Sequence, residues 1–271
     1  MQASSYPYFD LGHPQALAHR GGALYPPNLG CENTVTAFAN AISLGYRYLE
    51  TDVHCTSDGV AVAFHDDRLD RVTDGTGAIA ELPWEVVSQA VVGDGERIPR
   101  LDELFERFPQ ARLNIDVKSN SAVVPTAQAI LQHGVLERVC VGSFSQRRLT
   151  QIRVLLGNRL ATAAGGPGIA TLRLLPTWVS QWLRTSAPVL QVPATYTIAG
   201  RKVAVVTPEL VAATHRRDKL LHVWTIDDAQ TMHDLLDLGV DGIVSDRIDV
   251  LRDVLLERGQ WIELGEADPA R

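Results

Sequence analysis

The sequence predicts an α/β protein, a TIM (β/α)8 barrel with a small insertion after the second strand. Three observations carry that prediction. First, about eight short apolar stretches with strand periodicity, most followed by a helical stretch, fill a 271-residue chain, which is about the length such a barrel needs. Second, residues capable of chemistry collect near the ends of these strands: His19, Glu50, Asp52, His54, Asp116, Lys118, Ser143, Trp224, Thr225, Ser245 and Asp246. In a barrel those ends converge on one face. Third, no Gly-x-Gly-x-x-Gly follows any strand, which argues against a doubly wound open sheet. The expected organisation is a single domain over residues 1–271, with the insertion at about 66–99.

Residues 17–19 form a first strand that stops at Arg20-Gly21-Gly22. A Pro/Gly-rich loop over 25–30 leads to Glu32-Asn33-Thr34. Val35, Phe38, Ala39 and Ile42 then show helical spacing over 35–44, and Gly45 is suited to cap that helix. Residues 48–54 are the second strand, whose alternation puts Glu50, Asp52 and His54 on one face. An Asp58-Gly59 turn starts a hairpin to an apolar strand over 60–65, which ends on His65-Asp66. Residues 70–95 are rich in turn formers with little periodicity and read as the insertion. A short helix runs from Leu101 to about 108. Strands are then expected at 112–117, 138–143, 159–164, 189–192, 222–226 and 242–245. Helices are expected at 123–133, 146–156, 208–217, 229–238 and 248–257. Residues 169–183 are helical apart from Pro176.

Composition narrows the classes of function. Apolar content of 45% and charged content of 21% are globular values. A net charge of −7 argues against a nucleic-acid partner, although local Arg and Lys can still receive an anionic substrate. Cys31, Cys55 and Cys140 are too few and too scattered for a disulfide framework. The first residues lack the basic and apolar regions of a signal peptide, and no apolar run is long enough to span a bilayer. A soluble, cytoplasmic protein is the expectation.

A strand that aims two carboxylates one way must pair them or bind a cation. Glu50 and Asp52, joined by Asp116 from a later strand, make three oxygen donors suited to Mg²⁺ or Ca²⁺ rather than Zn²⁺. The alternative for the same carboxylates is an ion-pair cluster with Lys118. His19 and His65, each ending a strand, are candidates for an acid–base pair near neutral pH; otherwise each merely caps its strand. Arg20 and Lys118 suit the oxygens of a phosphate, or salt bridges to the acidic cluster. Trp224 is placed to wall a ligand, or to fill core. His54 lies two residues past Asp52 and ranks behind the other histidines near the site. His222, early in its strand, is assigned to the far end of the barrel.

Together these residues resemble a known family. Ala-His-Arg-Gly (18–21), Glu-Asn-Thr (32–34), Leu-Glu-Thr-Asp-Val (49–53), Phe-His-Asp-Asp (64–67) and Leu-Asp-Arg-Val-Thr-Asp-Gly-Thr-Gly (69–77) occur in order. So do Asn-Ile-Asp-Val-Lys (114–118), Val-Trp-Thr-Ile-Asp (223–227) and Gly-Val-Asp-Gly-Ile-Val-Ser-Asp (239–246). In this spacing they resemble the glycerophosphodiester phosphodiesterases over nearly the whole chain. The resemblance implies metal-dependent hydrolysis of a glycerophosphodiester to glycerol phosphate and an alcohol. It makes His19 and His65 the catalytic pair, Glu50, Asp52 and Asp116 the ligands of Mg²⁺ or Ca²⁺, and Arg20 and Lys118 the phosphate holders, with Glu32 beside the site. Asp116 stands where the family usually has Glu, and Cys31 where it usually has Pro. Two other readings stay open. One is a lysophospholipase D-type enzyme at membranes, motivated by the apolar residues Leu172, Leu174, Leu175, Trp178, Val179 and Trp182. The other is an inactive barrel that only binds phosphodiesters.

Overall fold

The computed structural model describes residues 2–164, 186–198 and 200–262. Eight parallel strands occur in chain order: β1 (Gln15–His19), β2 (Tyr48–Cys55), β3 (Arg112–Val117), β4 (Val139–Gly142), β5 (Ala161–Ala164), β6 (Val189–Pro193), β7 (Leu220–Trp224) and β8 (Gly242–Ser245). Each pairs with the next, and β8 pairs with β1, so the sheet closes into a TIM barrel as expected. Closure leaves the barrel without a free edge, and the helices cover its outer face. All eight residues of β2 are buried.

The helices that follow the strands pack their apolar stripes on the barrel exterior. Thr34 caps the helix Val35–Ser43, its Oγ1 accepting from Ala37 N at 3.2 Å. In the loop after β1, Gly21 holds a left-handed φ of +85° and lies against that helix. A Cβ there would stand 2.8 Å from Ala37 Cβ and 2.9 Å from the Ala37 carbonyl carbon. Gly21→Ala is therefore expected to cost roughly 3 kcal/mol, from strained backbone and overpacking together. An unchanged urea midpoint would contradict this.

The hairpin after β2 is present. Residues Ala61–Ala63 pair antiparallel with Val53–Cys55, so His65 sits just past the returning strand. The insertion is more ordered than its sequence suggested. Val62, Phe64, Leu69, Ile79, Val87 and Ile98 form a core of their own there. Its elements are 3-10 turns, the one-turn α-helix Trp84–Val87 and the two-residue strands Val91–Val92 and Glu96–Arg97, all too short to print a period on the sequence. A second hairpin, Thr195–Ile198 with Arg201–Ala204, follows β6 and was not anticipated. The expected helix over 169–183 lies outside the described residues. Among the described residues no helix is long and apolar enough to cross a membrane.

The N-terminal end of the barrel is closed by the chain before β1. Tyr6, Tyr8 and Phe9 are buried beneath Leu17, Tyr48 and Val244. Tyr48 Oη donates to the Tyr8 carbonyl at 3.0 Å, and Gln15 Nε2 donates to Tyr48 Oη at 3.0 Å. With that end plugged, the C-terminal end is where a ligand can enter.

Candidate active site

Strand register brings the polar residues together. His19 lies opposite Glu50, Glu50 opposite Asn114, and Asp52 opposite Asp116. A cavity of about 190 Å³ opens at the C-terminal end of the barrel, lined by His19, Arg20, Glu50, Asp52, His65, Asp116, Lys118 and Trp224 among others. Every residue expected at the site except Glu32 lines it, and Glu32 reaches it through Arg20.

Each histidine on the cavity has a carboxylate on Nδ1. His19 Nδ1 donates to Asp246 Oδ1 at 2.7 Å, and His65 Nδ1 donates to Asp66 Oδ1 at 2.6 Å. A carboxylate on Nδ1 fixes the tautomer and leaves Nε2 as the nitrogen available for proton transfer. Burial opposes charging the His19 ring, but Glu50 and Asp246 outweigh it and raise its pKa above the usual histidine value. Asp246 is held in turn by Asp227, whose Oδ1 accepts from Ser245 Oγ, Asp246 N and Arg247 N at 3.0, 2.8 and 3.2 Å. His54 supports the hairpin instead. Its Nε2 donates to the His65 carbonyl at 3.1 Å, and burial lowers its pKa, favouring the neutral ring.

The three expected ligands differ in their surroundings. Burial, with the adjacent Asp52 charge, pushes the Glu50 pKa up to about 7. Asp52 is equally buried, but Lys118 and Arg20 hold it below the carboxylate range. Lys118 Nζ bridges Asp52 Oδ1 (2.7 Å) and Asp116 Oδ2 (2.8 Å), so the ion-pair alternative is realised for these two. Among the described residues no three His, Cys, Asp or Glu side chains already converge as a metal cluster. Two observations nonetheless fit a hard cation here. Asp116 Oδ1 is buried without a hydrogen-bond partner, and Glu50 is buried beside a second carboxylate. An all-oxygen set of this kind suits Mg²⁺ or Ca²⁺.

The Glu32-Asn33-Thr34 stretch supports Arg20. Arg20 adopts a left-handed φ of +51°, and its backbone N donates to Glu50 Oε2 at 3.2 Å. Its Nη1 donates to Glu32 Oε1 at 3.1 Å, and its Nε lies 3.2 Å from Asp52 Oδ2. Asn33, also left-handed, donates from Nδ2 to Asp52 Oδ2 at 3.1 Å and accepts from Thr51 Oγ1 at 2.8 Å. Sequence reasoning placed Asp246 at a strand end and Asp66 beside His65 without giving either a partner, and gave no role to Asn33 or Phe144. Phe144 is 55% exposed and meets Trp224 edge to face, with ring centroids 5.7 Å apart, so together they form an aromatic wall.

At the cavity floor Gln191 Nε2 donates to Asn114 Oδ1 at 3.0 Å. Below them His222 is fully buried in the far part of the barrel, as expected, and burial pulls its pKa down to about 3. Because the unfolded chain takes up this proton near pH 6.5, stability from this group is full above that pH. It is lost as pH falls toward 3, at up to about 1.4 kcal/mol per unit. Urea midpoints between pH 8 and pH 5 are expected to fall more steeply for wild type than for His222→Gln. Equal slopes would refute the assignment.

The model of the glycerophosphoryl diester phosphodiesterase family matches residues 19–250. The chain belongs to that family. Membership makes it a phosphoric diester hydrolase. It is 40% identical to a probable glycerophosphodiester phosphodiesterase 2 of Mycobacterium tuberculosis over 91% of this chain and 92% of that one. It is 30% identical to a glycerophosphodiester phosphodiesterase of Caldanaerobacter subterraneus over 90% and 98%. Among solved structures, a putative glycerophosphoryl diester phosphodiesterase of Silicibacter pomeroyi superposes with a TM-score of 0.78 at 22% identity, covering 94% of this chain and 98% of that one. A phosphodiesterase of Oleispira antarctica, solved with the product sn-glycerol-3-phosphate, gives 0.76 at 23% identity, over 90% and 97%. Those two likenesses speak for the barrel.

Proposed function

We propose that the protein hydrolyses small, water-soluble glycerophosphodiesters in the cytoplasm to glycerol phosphate and an alcohol. The observation that carries this reading is the pair of Nδ1-anchored histidines in one cavity with Arg20, Lys118 and three carboxylates. Arg20 and Lys118 hold the phosphoryl oxygens. One histidine takes the proton of a neighbouring glycerol hydroxyl as its oxygen bonds to phosphorus. The other donates a proton to the departing alkoxide as the old phosphorus–oxygen bond breaks. Water then opens the resulting cyclic phosphate with the two proton-transfer roles exchanged. Glu50, Asp52 and Asp116 would hold Mg²⁺ or Ca²⁺, which when bound neutralises charge developing on the phosphoryl oxygens.

A panel of diesters from glycerophosphocholine to lysolipids tests the reading. Equimolar glycerol phosphate and alcohol are expected from the water-soluble members, and absence of turnover on all of them would sink it. The lysophospholipase D reading draws support from a human enzyme of that name, 38% identical over 121 residues, or 40% of this chain. Exclusive turnover of lysolipids, with binding to liposomes, would favour it. Any turnover rules out the inactive barrel.

A further inference from the structure

We propose that Arg71, on the insertion, is a positioning residue that holds the His65 imidazole and the Arg20 guanidinium in register with each other. Arg71 ends the 3-10 turn Leu69–Arg71 and does not line the cavity. Its guanidinium grips two carboxylates at once. Nε and Nη2 donate to Asp66 Oδ2 and Oδ1 at 2.6 and 3.1 Å. Nη1 and Nη2 donate to Glu32 Oε2 and Oε1 at 3.1 and 2.6 Å. From Asp66 the chain of contacts continues to His65 Nδ1 at 2.6 Å, and from Glu32 to Arg20 Nη1 at 3.1 Å. The two arms of the site, one from the loop after β1 and one from the hairpin after β2, meet on this one side chain.

The chemistry of the grip belongs to arginine. A planar fork with five N–H donors can serve two carboxylates bidentately, whereas an ammonium acts as a point charge without that geometry. The backbone beneath it is fixed: Leu69 is buried in the insertion's core, and its N donates to the Gly77 carbonyl at 3.0 Å. Removing the fork leaves Asp66 and Glu32 as neighbouring anions with no shared partner. Asp66 can then turn His65, and Glu32 can draw Arg20 off line. Arg71 is itself 47% exposed, and ion pairs at such positions add little to stability. Its loss therefore acts on the geometry of turnover more than on folding. The insertion thereby becomes part of the catalytic apparatus rather than decoration on the barrel.

The inference rests on His65 and Arg20 acting in turnover, so the test carries a control for that reading. Arg71→Ala, Arg71→Lys and His65→Ala are assayed on glycerophosphocholine beside wild type. Arg71→Ala is expected to lose about 10- to 100-fold in kcat with a smaller change in KM, because a small misplacement of reacting groups costs that much. Its thermal midpoint is expected to stay within about 4 °C of wild type. Guanidinium at sub-denaturing concentration should restore part of its kcat while leaving His65→Ala unchanged, and Arg71→Lys should remain impaired. Wild-type kcat in Arg71→Ala beside an inactive His65→Ala overturns the inference and leaves the site reading intact. So does a loss that tracks a lowered midpoint and resists guanidinium. Wild-type kcat in His65→Ala overturns the reading itself, and the inference with it.

Discussion

A His19→Ala protein is expected to lose about 10²- to 10⁴-fold in kcat, the range a positioned general acid or base contributes. His19 combines three properties that a surface imidazole lacks. Its Nδ1 is committed to Asp246, its Nε2 stands 3.8 Å from Glu50 Oε2, and its pKa is raised by those two carboxylates against the effect of burial. It can therefore carry a proton near neutrality and present it from a fixed direction. Asp246→Asn is expected to fall between wild type and His19→Ala, because it keeps the shape but removes the charge that stabilises the imidazolium. Exogenous imidazole should recover some turnover in His19→Ala. Full activity in that variant, with folding unchanged by circular dichroism, would exclude His19 from the chemistry.

Stripping divalent cations is expected to reduce turnover by about 10²-fold or more, since a bound cation supplies several kcal/mol of charge stabilisation. Activity should return with Mg²⁺ or Ca²⁺. The unpaired Asp116 Oδ1 and the buried Glu50–Asp52 pair are the features that ask for positive charge. Lys118 meets part of that demand at Asp52 and Asp116 but makes no contact of this kind with Glu50. Calorimetric titration of metal-stripped protein with Mg²⁺ or Ca²⁺ should show one binding event, weakened in Glu50→Gln and in Asp116→Asn. Unchanged turnover in chelator, with no heat of binding, would remove the cation from the proposal.

The barrel was legible because its strands are short apolar runs, such as Ala16–Ala18 and Val139–Val141, or alternate apolar with polar residues, as in Leu113–Val117. The residues lining the cavity were legible for a related reason: charge at the end of an apolar strand conflicts with its local surroundings unless it serves a site. The supports of those residues were harder to read. Asp246 lies 227 residues from His19, and only barrel closure makes them neighbours. Arg71 sits in a turn with no period to set it apart, where it reads as one more surface arginine. Asn33 does its work through a backbone conformation that one-letter patterns do not display. The edges of β4 and β7 moved by one or two residues from their expected places, because hydrogen bonding to neighbours decides where a strand stops.

The His19–Asp246 hydrogen bond joins the end of the first barrel strand to the residue just after the last. On the ribosome, His19 is made long before its partner. A nascent chain that has released β1 to β7 already contains both histidines and all three carboxylates, yet the imidazole of His19 still lacks its anchor. In the proposed mechanism, catalytic competence therefore arrives with the final strand, in the same event that seals the barrel. For this protein, turnover during refolding should report closure of the ring rather than collapse of its parts.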